Sequence, residues 1–174
     1  MSENNPFVNI RAAEPNDADT IYAWENNTEI WRVSETYTPY SLFQIEQFLM
    51  NNNDLFSMKQ LRLMIDNKEG TSIGCIDIYD YDPVNSRAGI GILIQKKYRK
   101  QGYAFSALKK IINYCFNILI LKQLYILTSI DNIDSINLFE TLGFKKCGHR
   151  KEWIKTPEGF IDEIEYQYIN KNYK

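Results

Sequence analysis

Histidine is almost missing from this sequence: His149 is the only one in 174 residues. That excludes chemistry built on a histidine pair, and any His-rich metal site. Cysteine is scarce as well. Cys75, Cys115 and Cys147 are odd in number and widely spaced, so they form neither a disulfide framework nor a zinc pattern. The expectation is three buried, reduced thiols in a cytoplasmic protein with no metal. No apolar run approaches the ~20 residues that cross a bilayer. The opening MSENNPFVNI lacks the basic and apolar segments of a signal peptide. Neither sign of charge dominates: 20 Lys and Arg against 22 Asp and Glu leave a net charge of -2, which is no footprint for nucleic acid. Repeats, low-complexity tracts and Pro- or Gly-rich linkers do not occur.

What is present is material for a core. The hydrophobic fraction is 44% and the aromatic fraction 14%, with twelve tyrosines. Such a chain packs rather than staying disordered, and its length fits one domain over residues 1–174. Phe7 to Ala12 reads as a strand. Pro15, Asn16 and Asp17 start a helix that runs to about Asn26, with Asn16 or Asp17 as cap. Residues 27–40 look irregular. Ser41 caps a second helix with Leu42, Ile45, Phe48 and Leu49 at helical spacing. Three β runs follow, 60–65, 71–79 and 87–95, separated by Asp/Asn/Gly/Pro turns: an antiparallel meander. From Gly102 to Asn117 the period changes, and Phe105, Leu108, Ile111, Ile112, Cys115 and Phe116 form one helical stripe. A strand over 124–130, a helix over 131–142 ended by Gly143, and strands over 144–155 and 160–169 complete the chain. A strand–helix–strand step inside a meander implies a mixed sheet flanked by helices, an α/β (α+β) fold.

One stretch carries chemistry. A strand ending in Ile92-Leu93-Ile94 runs into Lys96, Lys97, Arg99 and Lys100, then Gly102, then a helix. The free N–H groups and positive dipole end of that helix, with a glycine that admits close approach, suit a phosphate or pyrophosphate. The Gly-Lys-Ser/Thr of a P-loop and the repeated glycines of a dinucleotide fingerprint are both missing.

Arg99-Lys100-Gln101-Gly102-Tyr103-Ala104 resembles the Q/R-x-x-G-x-G/A signature of the GNAT superfamily of N-acetyltransferases. Thirty residues on, Asn132-Ile-Asp-Ser135-Ile-Asn-Leu-Phe139-Glu140-Thr-Leu-Gly143-Phe144 resembles its second signature, N-x-x-S/A-x-x-L-Y/F-E-x-x-G-F. The likeness covers about residues 7–169, and it is nearest to the branch of spermidine and ribosomal-protein N-terminal acetyltransferases. It implies a mostly antiparallel sheet of about seven strands flanked by about four helices. It also implies acetyl-CoA as co-substrate and direct attack of an amine on the thioester.

Within that resemblance Ile92, Leu93 and Ile94 would pair with the pantetheine arm. Lys100, Gln101, Gly102, Tyr103 and Ala104 would hold the pyrophosphate, with Arg99 shaping the loop. Asn132, Ser135 and Phe139 would face the thiol end. The usual general acid of the second signature is a Tyr; Phe139 has no proton to give, so Ser135, Tyr166 or Tyr168 is the candidate acid, unless the thiolate leaves unassisted. The third meander strand carries no acid, although many relatives have a Glu there, which leaves the base open to carboxylates on flanking strands, Asp77 among them. Trp31, Glu35 and Asp77 are the candidate acceptor residues, since acidic groups along the first helix and its loop suit a cationic polyamine. Three readings remain: an acetyltransferase of a small cationic amine, one acting on protein N-termini, and a non-catalytic CoA-binding sensor. The partners expected are a small amine or peptide N-terminus, without nucleic acid or membrane, in a monomer or homodimer.

Overall fold

The computed structural model describes residues 5–31, 36–51 and 54–173. They form seven strands and six α-helices: β1 (Asn9–Ala12), α1 (Ala18–Glu25), α2 (Thr28–Trp31), α3 (Leu42–Asn51), α4 (Leu55–Met58), β2 (Leu61–Asp66), β3 (Ser72–Asp82), β4 (Arg87–Ile94), α5 (Tyr103–Asn117), β5 (Gln123–Ser129), α6 (Ile133–Thr141), β6 (Lys145–Thr156) and β7 (Gly159–Ile169). The single sheet has the order β1-β2-β3-β4-β5-β7-β6. Only β4 and β5 run parallel, with α5 as their crossover; every other pair is antiparallel. The mixed sheet read from the sequence is present, and so are its four long helices.

Several expectations change. Pro15–Asp17 is a 3-10 turn, and Asp17 does not cap α1 by its side chain. Its carboxylate instead accepts the Glu14 amide at 2.8 Å and both terminal nitrogens of Arg11. Residues 27–40 are not irregular throughout, because Thr28–Trp31 closes a helical turn; Leu55–Met58 closes another, capped by Asp54 accepting from the Phe56 amide at 3.0 Å. β3 extends to Asp82 through a bulge after Tyr79. Cys75 and Cys115 are buried thiols as expected, but Cys147 is exposed on the edge strand β6.

Each sheet face has its own cover. On the back face, Ala107, Leu108, Ile111, Ile112 and Cys115 of α5 pack on Ile76, Ile78, Ile90, Leu124 and Ile126. On the front face, Ile21 of α1 and Ile45 and Leu49 of α3 pack on Met64 and Cys75. Each such fully buried aliphatic side chain is worth ~1.5–3 kcal/mol of transfer free energy. No helix among the described residues is long and apolar enough to cross a membrane.

Candidate active site

The two parallel strands pair over only three positions, Arg87 with Gln123, Ala88 with Leu124 and Gly89 with Tyr125. Past Gly89 they part. The remainder of β4 stays bonded to β3, and the remainder of β5 to β7. A sheet split open in its middle presents two unpaired strand edges whose N–H and C=O groups need partners. A cleft of about 1100 Å³ occupies the split.

At its back mouth lies the basic loop. Lys96–Tyr98 forms a 3-10 turn, and the Arg99 guanidinium folds back to donate to the Ile94 carbonyl at 2.8 Å. Arg99 thus ties the loop to the end of β4. Lys100 has φ 58° and Gly102 φ 84°, left-handed values that Gly102 adopts freely. The first helical bond of α5 runs from the Ser106 amide to the Gly102 carbonyl at 3.0 Å, so the amides before it have no acceptor in the helix. A Cβ on residue 102 would stand 3.0 Å from Pro6 Cδ. Lys96 and Lys100 meet only exposed carboxylates, Glu29 at 3.0 Å and Asp134 at 3.4 Å. Such pairs are weak and easily exchanged for a phosphate.

The α6 side of the cleft is built by an N-cap. Asn132 Oδ1 accepts the Ser135 amide at 3.4 Å, and Asn132, Ser135 and Phe139 all line the cleft, as their three- and four-residue spacing predicts. Phe139 is 3% exposed and meets Phe144 edge-on at 5.1 Å. Ile92, Leu93, Ile94, Arg99, Lys100, Gly102, Tyr103 and Ala104 line it too; Gln101 does not, its side chain donating to the Lys97 carbonyl at 2.8 Å. Tyr166 lies outside the lining. It is buried, and its hydroxyl donates to Glu140 at 3.0 Å. Burial, then that carboxylate, hold its pKa above the ordinary tyrosine value.

The front mouth has opposite character. Asp77 lines it, gripped through both oxygens by Arg62 Nε and Nη2 at 2.7 and 2.8 Å; Arg62 Nη1 also bonds Glu25. The Arg62 guanidinium lies 5.4 Å from the Phe48 ring. Burial pulls its pKa down, but Asp77 and Glu25 outweigh this and hold it well above the usual range. Burial pushes the neighbouring Cys75 thiol up to about 12, so it is not a nucleophile. Tyr79 and Asp80 extend the wall, and Asp80 accepts from Tyr125 at 3.0 Å. Tyr79 lies over Gly89, where a Cβ would stand 2.2 Å from its ring. Trp31 is not in the lining; its indole N–H donates to the Glu25 carbonyl at 2.7 Å, bracing the end of α1. Glu35 falls outside the described residues.

Sequence reading missed Arg62, Tyr79 and Glu163 as cleft residues. Arg62 carried a faint signal, a lone cation between Leu61 and Leu63 in an apolar strand. Glu163 carried none, because the sequence shows neither the split nor which strand borders it.

Comparison with known proteins agrees with this geometry. The spermidine N(1)-acetyltransferase of Vibrio cholerae is 25% identical over 170 residues, covering 97% of this chain and 93% of its own. The enzyme of that name from Escherichia coli is 26% identical over 141 residues, 81% and 74% of the two chains. The crystal structure of the Vibrio cholerae spermidine N-acetyltransferase with CoA and spermine superposes with a TM-score of 0.85 at 22% identity, over 95% of this chain and 97% of that one. The family model of the acetyltransferase (GNAT) domain matches residues 8–145. That span takes in β1 to β5 with the parting strands β4 and β5, the loop before α5 and all of α6, and the chain belongs to the GNAT acetyltransferase family.

Proposed function

We propose that this protein transfers the acetyl group of acetyl-CoA to a primary amine of a small polycation, a polyamine of the spermidine class. The observation that carries the reading is the polarity of the cleft. Its back mouth has Arg99 and Lys100 with the first-turn amides of α5, and Lys96 and Lys97 line an adjoining pocket; its front wall has Glu25, Asp77 and Asp80 around Arg62. A polyanionic cofactor and a cationic acceptor are drawn to opposite ends of one passage. The relatives named spermidine acetyltransferases support the acceptor class.

In this reading the pantetheine arm lies along Ile92, Leu93 and Ile94 as an added strand in the split. The pyrophosphate rests on the amides from Lys100 to Ala104, with Gln101 bracing the loop. A backbone amide near Leu93 polarises the thioester carbonyl. Ser135, next to Asn132 at the head of α6, donates a proton to the departing sulfur. Phe139 packs beside the thiol end, and Tyr166, turned towards Glu140, has no part in the transfer. Asp77, held by Arg62, attracts the acceptor's charge, and Trp31 supports Glu25. Glu35 remains a proposed acceptor contact from sequence. For assembly we propose a monomer or homodimer paired through the edge strand β6; a mass above two chains in sedimentation equilibrium would overturn that.

The test is thiol release from acetyl-CoA with spermidine, spermine, putrescine, short peptides with free N-termini, aminoglycosides and amino acids. Turnover confined to polyamines supports the proposal. Turnover of peptides alone replaces it with an N-terminal acetyltransferase. Silence across the panel with CoA still bound replaces it with a CoA sensor.

A further inference from the structure

We propose that Glu163 accepts the proton of the attacking amine. The inference rests on the acetyl-transfer reading above and supplies the base that β4 lacks. Glu163 is 3% exposed and lines the cleft. Buried carboxylates are rare unless paired, and Arg150 Nη1 of β6 meets its Oε2 at 2.7 Å. What sets it apart is its height in the sheet. Gly89 is the last β4 residue paired with β5, opposite Tyr125; counting four residues along each diverging strand reaches Leu93 and Ser129, and both line the cleft. Ser129 pairs with Glu163. Paired residues share a face, so Glu163, Ser129 and Leu93 project to the front, like Asp77 opposite Gly91. With the thioester placed at Leu93 as proposed above, Glu163 lies on the opposite wall of the split.

The other carboxylates are less suited. Both oxygens of Asp77 are held by Arg62, which also takes Glu25. Asp80 is exposed and bonded to Tyr125. Asp134 is exposed at the head of α6 beside Lys100. Among the described residues Arg150 on β6 pairs with Glu163; the His149–Asp162 pair lies on the other face of the same hairpin, and the Arg62 cluster lines the cleft with it.

The step balances as follows. The acceptor arrives as an ammonium, and Glu163 takes one proton directly or through one water. The freed lone pair forms the C–N bond at the thioester carbonyl, and the C–S bond breaks with its electrons on sulfur. Nitrogen loses its second proton as sulfur gains one. The products are the amide, the thiol and one proton, which Glu163 returns to solvent past the half-exposed Arg150.

The experiment uses the full chain with acetyl-CoA and spermidine from pH 6 to 10. It compares wild type with Glu163→Gln, Glu163→Asp and, as control on the same strand outside the cleft lining, Glu165→Gln. CoA affinity is measured by calorimetry alongside. Glu163→Gln should lower kcat about 100-fold or more at neutral pH, leave KM and CoA affinity within about threefold, and close the gap towards pH 10 as the free amine becomes common. Glu163→Asp should recover part of kcat, which also carries the test if the Gln variant folds poorly; Glu165→Gln should match wild type. A Glu163→Gln kcat within about threefold of wild type, a loss in KM alone, or a loss constant across pH overturns the inference. An inactive wild type that binds CoA overturns the acetyl-transfer reading and this inference with it; an active wild type with an unimpaired Glu163→Gln overturns this inference alone.

Discussion

Arg62 holds two carboxylates in a wall where none of the three side chains is more than 23% exposed. Removing the cation leaves two like charges facing each other with little water, and breaking a buried pair from one side costs about 3–5 kcal/mol. The partial exposure here puts the expected loss for Arg62→Gln at about 3 kcal/mol in urea denaturation. Asp17 belongs to a second such group. The Arg11 guanidinium holds its carboxyl below the usual value of 3.8 against the opposing effect of burial. A depressed carboxyl contributes stability above its unfolded pKa and loses it as pH falls through the folded one. Wild type should therefore lose stability below about pH 4 more steeply than Asp17→Asn, measured as urea midpoints from pH 5 to pH 2. Gly102, Asn132 and Ser135, which line the cleft, were legible because local backbone geometry and helix spacing place them. Arg62 and Glu163 were not, because their partners lie 15 and 13 residues away or more, across strand pairings no local pattern encodes.

At the scale of elements, β4 decides where the cleft opens, and two of the glycines beside it behave oppositely. A Cβ on Gly74 of β3 would lie 2.0 Å from the Leu93 carbonyl oxygen. Gly74→Ala must push β4 away at a residue that lines the cleft. The expected outcome is a loss of about 1–3 kcal/mol in chemical denaturation with weaker CoA binding by calorimetry. A Cβ on Gly91 meets nothing closer than 3.9 Å, yet Gly91 lines the cleft. Gly91→Ala should change stability by less than about 1 kcal/mol and raise KM for the amine in the thiol-release assay. The long helices and the meander were legible because their periodicity runs over several turns or alternations. The single turns α2 and α4, four residues each, were not, since one turn is too short to show a period and is held by tertiary contacts.

For the whole molecule, cofactor binding couples to stability. A ligand that binds only the folded chain at 100 times its Kd adds about 2.7 kcal/mol. CoA at that level should raise the urea midpoint accordingly, and the gain should shrink with added salt, because the exposed cations at the back mouth are screened within about 10 Å at 0.1 M. Gly102→Asp, which adds a charge and a side chain at φ 84°, should lose most of the gain.

The sequence by itself determined the family, the order of the strands and long helices, and the basic loop before α5. Those are properties of residues close together in the chain, where capping, periodicity and charge act locally. Only the tertiary structure decided that β4 and β5 part after Gly89, that Arg62 gathers Glu25 and Asp77, and that Glu163 lines the cleft beside Arg150. These depend on strand register and on burial, which follow from packing the whole sheet between its two helical covers rather than from any segment alone.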